Sequence, residues 1–202
     1  MARNLPPEAE GRRPDGSGAN YHHGDLRAAI LTEAARLVSE RGAEGVSLRE
    51  LARNAGVSHA APAHHFTDRR GLFTALAAEG YRILAAALTD VRPRFVDAAL
   101  AYVQFAIDHP GHYAVMFNTS LLDNADPDLM AARSASGAEL SRGVGTLVDP
   151  HAKTDPAGAE LAAWSLVHGF SMLWLNNAVA AEMAAAGAMP TVERIAMMLF
   201  DG

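Results

Sequence analysis

Apolar residues recur at helical spacing along most of the chain, and nowhere do they alternate as a half-buried strand requires. The first periodic stretch opens near Gly24-Asp25 and carries Leu26, Ile30, Ala34, Leu37 and Val38 on one face. Arg41-Gly42 closes it, with glycine where helices commonly end. Ser47-Leu48-Arg49-Glu50 then reads as a capping box. Ser47 accepts from the amide of Glu50, and the Glu50 carboxylate reaches back to the amide of Ser47. Leu48, Leu51, Ala52 and Ala55 form the apolar face of this second helix. Gly56 stops it, because glycine reaches positive φ without steric cost. Val57 plugs the turn, and Ser58 is a second N-cap that predicts a helix to about Phe66. Residues 47–66 thus read as two short helices around a glycine turn, a unit that sets its second helix in the major groove of DNA.

Downstream, Asp68 caps a longer helix with Leu72, Leu76, Ile83, Ala87 and Leu88 on one side, ending before Pro93. A fifth helix spans about 94–108 and is broken by His109-Pro110-Gly111. A short helix over 113–117 follows. Asp126-Pro127, an N-cap followed by proline at the first helical position, starts a seventh that ends before Asp149-Pro150. Asp155-Pro156 repeats the device for a long eighth helix to about Ala186. Gly187 and Pro190 separate it from a final helix over 191–200. The expected fold is all-α with about nine helices. Its expected division is a disordered arm over 1–20, a helix-turn-helix head over 21–67 and a helical ligand-binding and dimerisation body over 68–202. Arg3, Arg12 and Arg13 of the arm either reach phosphate or are simply solvated.

The chain has 202 residues, half of them hydrophobic, and no cysteine, which excludes disulfides, thiolate metal sites and cysteine nucleophiles. No apolar run looks long enough to span a bilayer, and no secretory h-region opens the chain. The expectation is a cytoplasmic protein without a membrane partner. A net charge of −6 argues against nucleic-acid binding until its distribution is considered. Residues 21–72 hold seven arginines, six acids and five histidines, whereas residues 73–202 hold seven basic and fourteen acidic residues. A nearly neutral head therefore sits beside a strongly acidic body.

Ser47-Leu48-Arg49-Glu50-Leu51-Ala52, Ala55-Gly56-Val57-Ser58, His65-Phe66 and Leu72 together resemble the TetR-type transcriptional repressor family over roughly residues 24–84. His109-Pro110 with Tyr113, Met116 and Phe117, followed by Trp164 to Gly169, resembles the C-terminal domain of one branch named for a Trp-His-Gly signature. The resemblance implies a homodimer whose heads bind a near-palindromic double-stranded operator. It also implies a body that binds a small molecule and releases the DNA. Two positions depart from the family pattern. Ala63 stands where an aromatic residue usually contacts the DNA backbone, and Pro62 sits early in the predicted recognition helix.

Within this frame His59, Ala60, Ala61 and His64 face outward from that helix. His59 suits a base edge, and the two alanines suit a thymine methyl. Ser58 opens the helix. Ser47 and Arg49 at the start of the preceding helix can hold phosphate, as can Arg69 and Arg70 just beyond the motif. His65 and Phe66 read as structural. The adjacent pairs His22-His23 and His64-His65 do not converge on one centre, so no metal or cofactor is expected. Tyr113, Met116, Phe117, Trp164, His168 and Met172 are candidates for an apolar pocket with a polar point at His168, binding an unknown small apolar ligand. Plain core packing explains the same spacing. Ile195, Met198 and Leu199 supply an apolar stripe for a dimer face. The dinucleotide and nucleophile-elbow patterns are incomplete, so an enzyme is not expected. The alternative to a regulator is a helical small-molecule-binding or scaffold protein with a degenerate DNA-binding head.

Overall fold

Residues 23–91 and 94–200 are described by a computed structural model, and among them the chain is all-α. The helices are α1 (His23–Arg41), α2 (Leu48–Asn54), α3 (Arg69–Thr89), α4 (Phe95–Asp108), α5 (Pro110–Met116), α6 (Pro127–Val144), α7 (Pro150–Thr154), α8 (Pro156–Leu175), α9 (Ala181–Ala186) and α10 (Ala188–Phe200). Three 3-10 turns join them, at Ala43–Gly45, Ala61–His64 and Thr119–Leu121. The arm expected over residues 1–20 lies outside the described residues.

Aspartate followed by proline starts three of these helices. Asp126, Asp149 and Asp155 accept from the amides of Leu129, His151 and Gly158, so an orphan donor of each first turn is satisfied. Asp149-Pro150, expected only to close the preceding helix, therefore also opens α7. The eighth helix ends at Leu175 rather than near Ala186. Asn177 takes φ 53°, and the amides of Asn177 and Ala178 bond the carbonyls of Trp174 (3.0 Å) and Leu173 (2.8 Å). This is a Schellman closure with asparagine in the left-handed position. With α7 and α9 added, and a 3-10 turn in place of the helix expected from Ser58 to Phe66, the count is ten helices among the described residues.

The central helix is α3. Leu72, Phe73, Leu76, Ala77, Tyr81, Leu84 and Leu88 are buried along it, against α5 on one side and α6 on the other. By length and composition α3 could cross a bilayer, contrary to the expectation for this sequence, but 56 % of that window is already buried in protein. Helix α5 also packs on α1, so this short segment touches both the N-terminal helices and the body. The buried residues form one continuous apolar cluster from Ile30 in α1 to Ala196 in α10.

Candidate functional site

Helix α2 is fixed at both ends. Ser47 Oγ accepts from the amide of Glu50 (3.3 Å). The Glu50 carboxylate is drawn instead to Arg41 of α1 (2.5 Å), which holds its carboxyl below the usual range. At the other end Gly56 sits at φ 67°. The amides of Gly56 and Val57 bond the carbonyls of Arg53 (3.1 Å) and Ala52 (3.0 Å), again a Schellman closure. Asn54 donates to Glu33 of α1 (2.7 Å). The guanidinium of Arg36, helped by Asn54, keeps the Glu33 carboxyl at about 2.

The segment after the turn is not the α-helix expected from Ser58 to Phe66. Residues Ala61–His64 form a 3-10 turn, and Ala60 rather than Ser58 stands at its N-cap with no side-chain cap bond. Proline is the physical reason. Pro62 has no N–H to bond the Ser58 carbonyl four residues back, which accepts instead from Ala61 (3.0 Å). The Pro62 ring is itself buried, and its carbonyl accepts from His65 and Phe66. Phe66 is 2 % exposed and anchors the segment. Ser58, His59, Ala60, Ala63 and His64 remain on the outside, with Ala61 half-buried. Ser47, Arg49 and Arg70 are exposed as well. Arg69 is not available in the same way. Its guanidinium donates to the carbonyls of Val46 (3.1 Å) and Ala43 (2.7 Å) and lies over the Phe73 ring (4.7 Å). It straps the loop before α2 onto α3, so that guanidinium is tied to backbone carbonyls rather than displayed as Arg70 is.

A cavity of about 810 Å³ opens between α3, α6 and α8. Its wall includes Tyr81, Leu84, Phe117, Leu140, Leu161 and Trp164. Polar groups enter it at His168, Glu160 and Arg133. The Nδ1 of His168 lies 2.8 Å from the Tyr113 hydroxyl and 3.1 Å from that of Tyr102. Trp164 donates its indole N–H to the Tyr102 hydroxyl (3.3 Å). Burial lowers the His168 pKa and raises both phenols, Tyr113 to about 12. At neutral pH the imidazole is therefore uncharged and both hydroxyls keep their protons.

Four of the six residues named for a pocket line this cavity: Met116, Phe117, Trp164 and His168. Tyr113 does not line it; the side chain is 2 % exposed and supports His168. Met172 is not part of the lining and is 44 % exposed, because it projects from α8 toward solvent. Tyr81, Tyr102 and Arg133 were not foreseen. Each sits in a stretch that reads as core or solvated helix, and only the folding of α3, α4 and α6 around α8 brings them to His168 and its cavity. On α10, Ile195 is half-buried and Met198 is 72 % exposed, while the Leu199 side chain lies outside the described residues.

Residues 30–76 match the model for bacterial regulatory proteins of the tetR family, and residues 95–198 match the tetracyclin repressor-like C-terminal domain. The HTH-type transcriptional repressor AcnR of Corynebacterium diphtheriae is 45 % identical over 53 residues, which cover 26 % of this chain and 28 % of that protein. The chain therefore matches little more than a quarter of the length of that relative. A structure of a protein of unknown function from Rhodococcus sp. RHA1 is 34 % identical, with TM-score 0.63, covering 87 % of this chain and 97 % of that one. AibR, solved in complex with isovaleryl coenzyme A and operator DNA, shares the fold at 18 % identity and TM-score 0.62, over 87 % of this chain and 98 % of its own. The C-terminal match alone spans just over half of the chain, and with the N-terminal match it accounts for both the glycine-turned head and the helical body. The chain belongs to the TetR family of bacterial regulatory proteins, which are transcription regulators rather than enzymes.

Proposed function

We propose that the chain is a homodimeric, operator-binding transcriptional repressor whose DNA affinity is lowered by a small molecule in the α3–α6–α8 cavity. The observation that carries this reading is the presentation of Ser58, His59, Ala60 and His64. They lie on the outside of a turn anchored by Pro62 and Phe66, just beyond the Gly56 closure of α2. Side chains on such a turn reach base edges, while Ser47, Arg49 and Arg70 hold phosphate on either side. AibR, solved in complex with isovaleryl coenzyme A and operator DNA, supports a fold that holds a small molecule and an operator. Action on the chromosome places the protein in the cytoplasm.

Two copies meet, in this reading, through the outer faces of α8 and α10. Leu173, Met197 and Met198 are exposed there, whereas Val192 and Ala196 face inward. Sedimentation of the full chain tests the dimer directly, with an expected species at twice 21.3 kDa. The same sample should bind duplex DNA with an affinity that falls as salt rises, because phosphate neutralisation releases counterions. A monomer with no salt-sensitive duplex binding overturns the proposal.

A further inference from the structure

Arg133 of α6 is half-buried and lines the cavity. Its guanidinium lies 5.4 Å from the centroid of the Tyr81 ring, and its polar contacts are the Tyr81 hydroxyl and the Asn124 side-chain oxygen at 3.5 Å. No carboxylate pairs with it among the described residues. A guanidinium held against a largely apolar wall favours a ligand that brings an anion, and its planar fork fits a carboxylate in particular. From Tyr81 the wall continues through Phe117 (5.9 Å between centroids) to His168 (4.5 Å).

At that end the protons can be assigned from the network. Trp164 donates to Tyr102, and the Tyr113 hydroxyl donates to Nδ1 of His168 (2.8 Å), with the Tyr102 hydroxyl beside the same nitrogen at 3.1 Å. With Nδ1 accepting from the phenols, the imidazole proton is assigned to Nε2. That N–H has no acceptor among the described residues and belongs to a residue of the cavity wall. Glu160 of α8 lines the same cavity, also without a partner among the described residues, and its charge disfavours ligands with several negative charges.

Resting on the reading of the cavity as a ligand site, we propose that its ligand is an amphipathic monocarboxylic acid. The carboxylate meets Arg133, the apolar body lies along Tyr81 and Phe117, and an oxygen acceptor meets Nε2 of His168. The volume suits a ligand of ordinary drug size.

Calorimetric titration of the full chain with decanoate, methyl decanoate and decylamine tests this. Decanoate should bind at least about tenfold more tightly than the ester, the advantage of a charge-assisted bond to arginine, and the amine most weakly. Arg133→Gln should abolish the preference while leaving ester affinity unchanged, which also shows that the cavity is intact. Arg133→Lys should retain part of the preference, and Glu160→Gln should not weaken decanoate. Equal or tighter binding of the ester or amine, or a preference that survives Arg133→Gln, overturns the acid assignment and leaves the ligand site standing. No binding of any probe overturns the ligand site and the acid together.

Discussion

Gly111 of α5 lies directly against the backbone carbonyl of Ala35 in α1: a Cβ at that glycine would come within 1.9 Å of the oxygen. The same short helix carries Tyr113, whose hydroxyl meets His168. One face of α5 thus touches the cavity cluster and another touches the first helix of the head.

Gly111→Ala should therefore force α1 and α5 apart. The expected loss is about 1–3 kcal/mol, the usual cost of overpacking a tight contact. Urea unfolding measures it, and DNA affinity should fall in parallel.

Arg69 and its neighbour Arg70 should separate structure from recognition. Arg69→Ala removes two bonds to the carbonyls of Val46 and Ala43 and a stacking contact with Phe73, so it should destabilise the fold by about 1–3 kcal/mol. Arg70→Ala and Arg49→Ala, both exposed, should leave the unfolding midpoint unchanged. Each should instead weaken duplex binding and reduce the salt slope by about one. Denaturant curves and salt titrations of the three variants check the contrast.

Burial depresses the pKa of His168, and that of His109 as well, below the ordinary 6.5. The unfolded chain then takes up protons at a higher pH than the folded one. Stability from the neutral imidazoles is present above about 6.5 and falls as pH drops below it. His168→Gln should flatten part of that decline between pH 7 and pH 5, measured as the unfolding midpoint against pH.

Gly56 at φ 67° has no atom within 4 Å of where a Cβ would stand. Gly56→Ala should thus cost only the backbone strain, about 1 kcal/mol. Gly56→Asn should cost less, since asparagine tolerates the left-handed region. Thermal unfolding distinguishes the two.

The elements that the sequence announced are those with local chemistry. Ser47, Gly56, Asp68 and the Asp-Pro pairs mark helix ends because the bonds they make are within a few residues. The end of α8 was missed because Asn176-Asn177 lacks the glycine that usually marks a left-handed cap. In the head, the helical pattern from Ser58 to Phe66 outweighed the single proline that turns it into a 3-10 segment. Arg69 reads as a cation near DNA in the sequence, and only the fold shows it bound to carbonyls 23 and 26 residues away. The cavity was legible on α8 and α5, where Trp164, His168 and Phe117 share a pattern. Tyr102 and Arg133 come from helices whose position relative to α8 no periodicity encodes.

The most direct test of the account is a selection of random duplexes by the purified full chain, with anisotropy titration of the enriched sequence at two salt concentrations. The account predicts a two-fold symmetric consensus and an affinity that falls steeply as salt rises. No enriched sequence, together with binding indifferent to salt, would contradict it and leave a helical small-molecule-binding protein whose head no longer reads DNA.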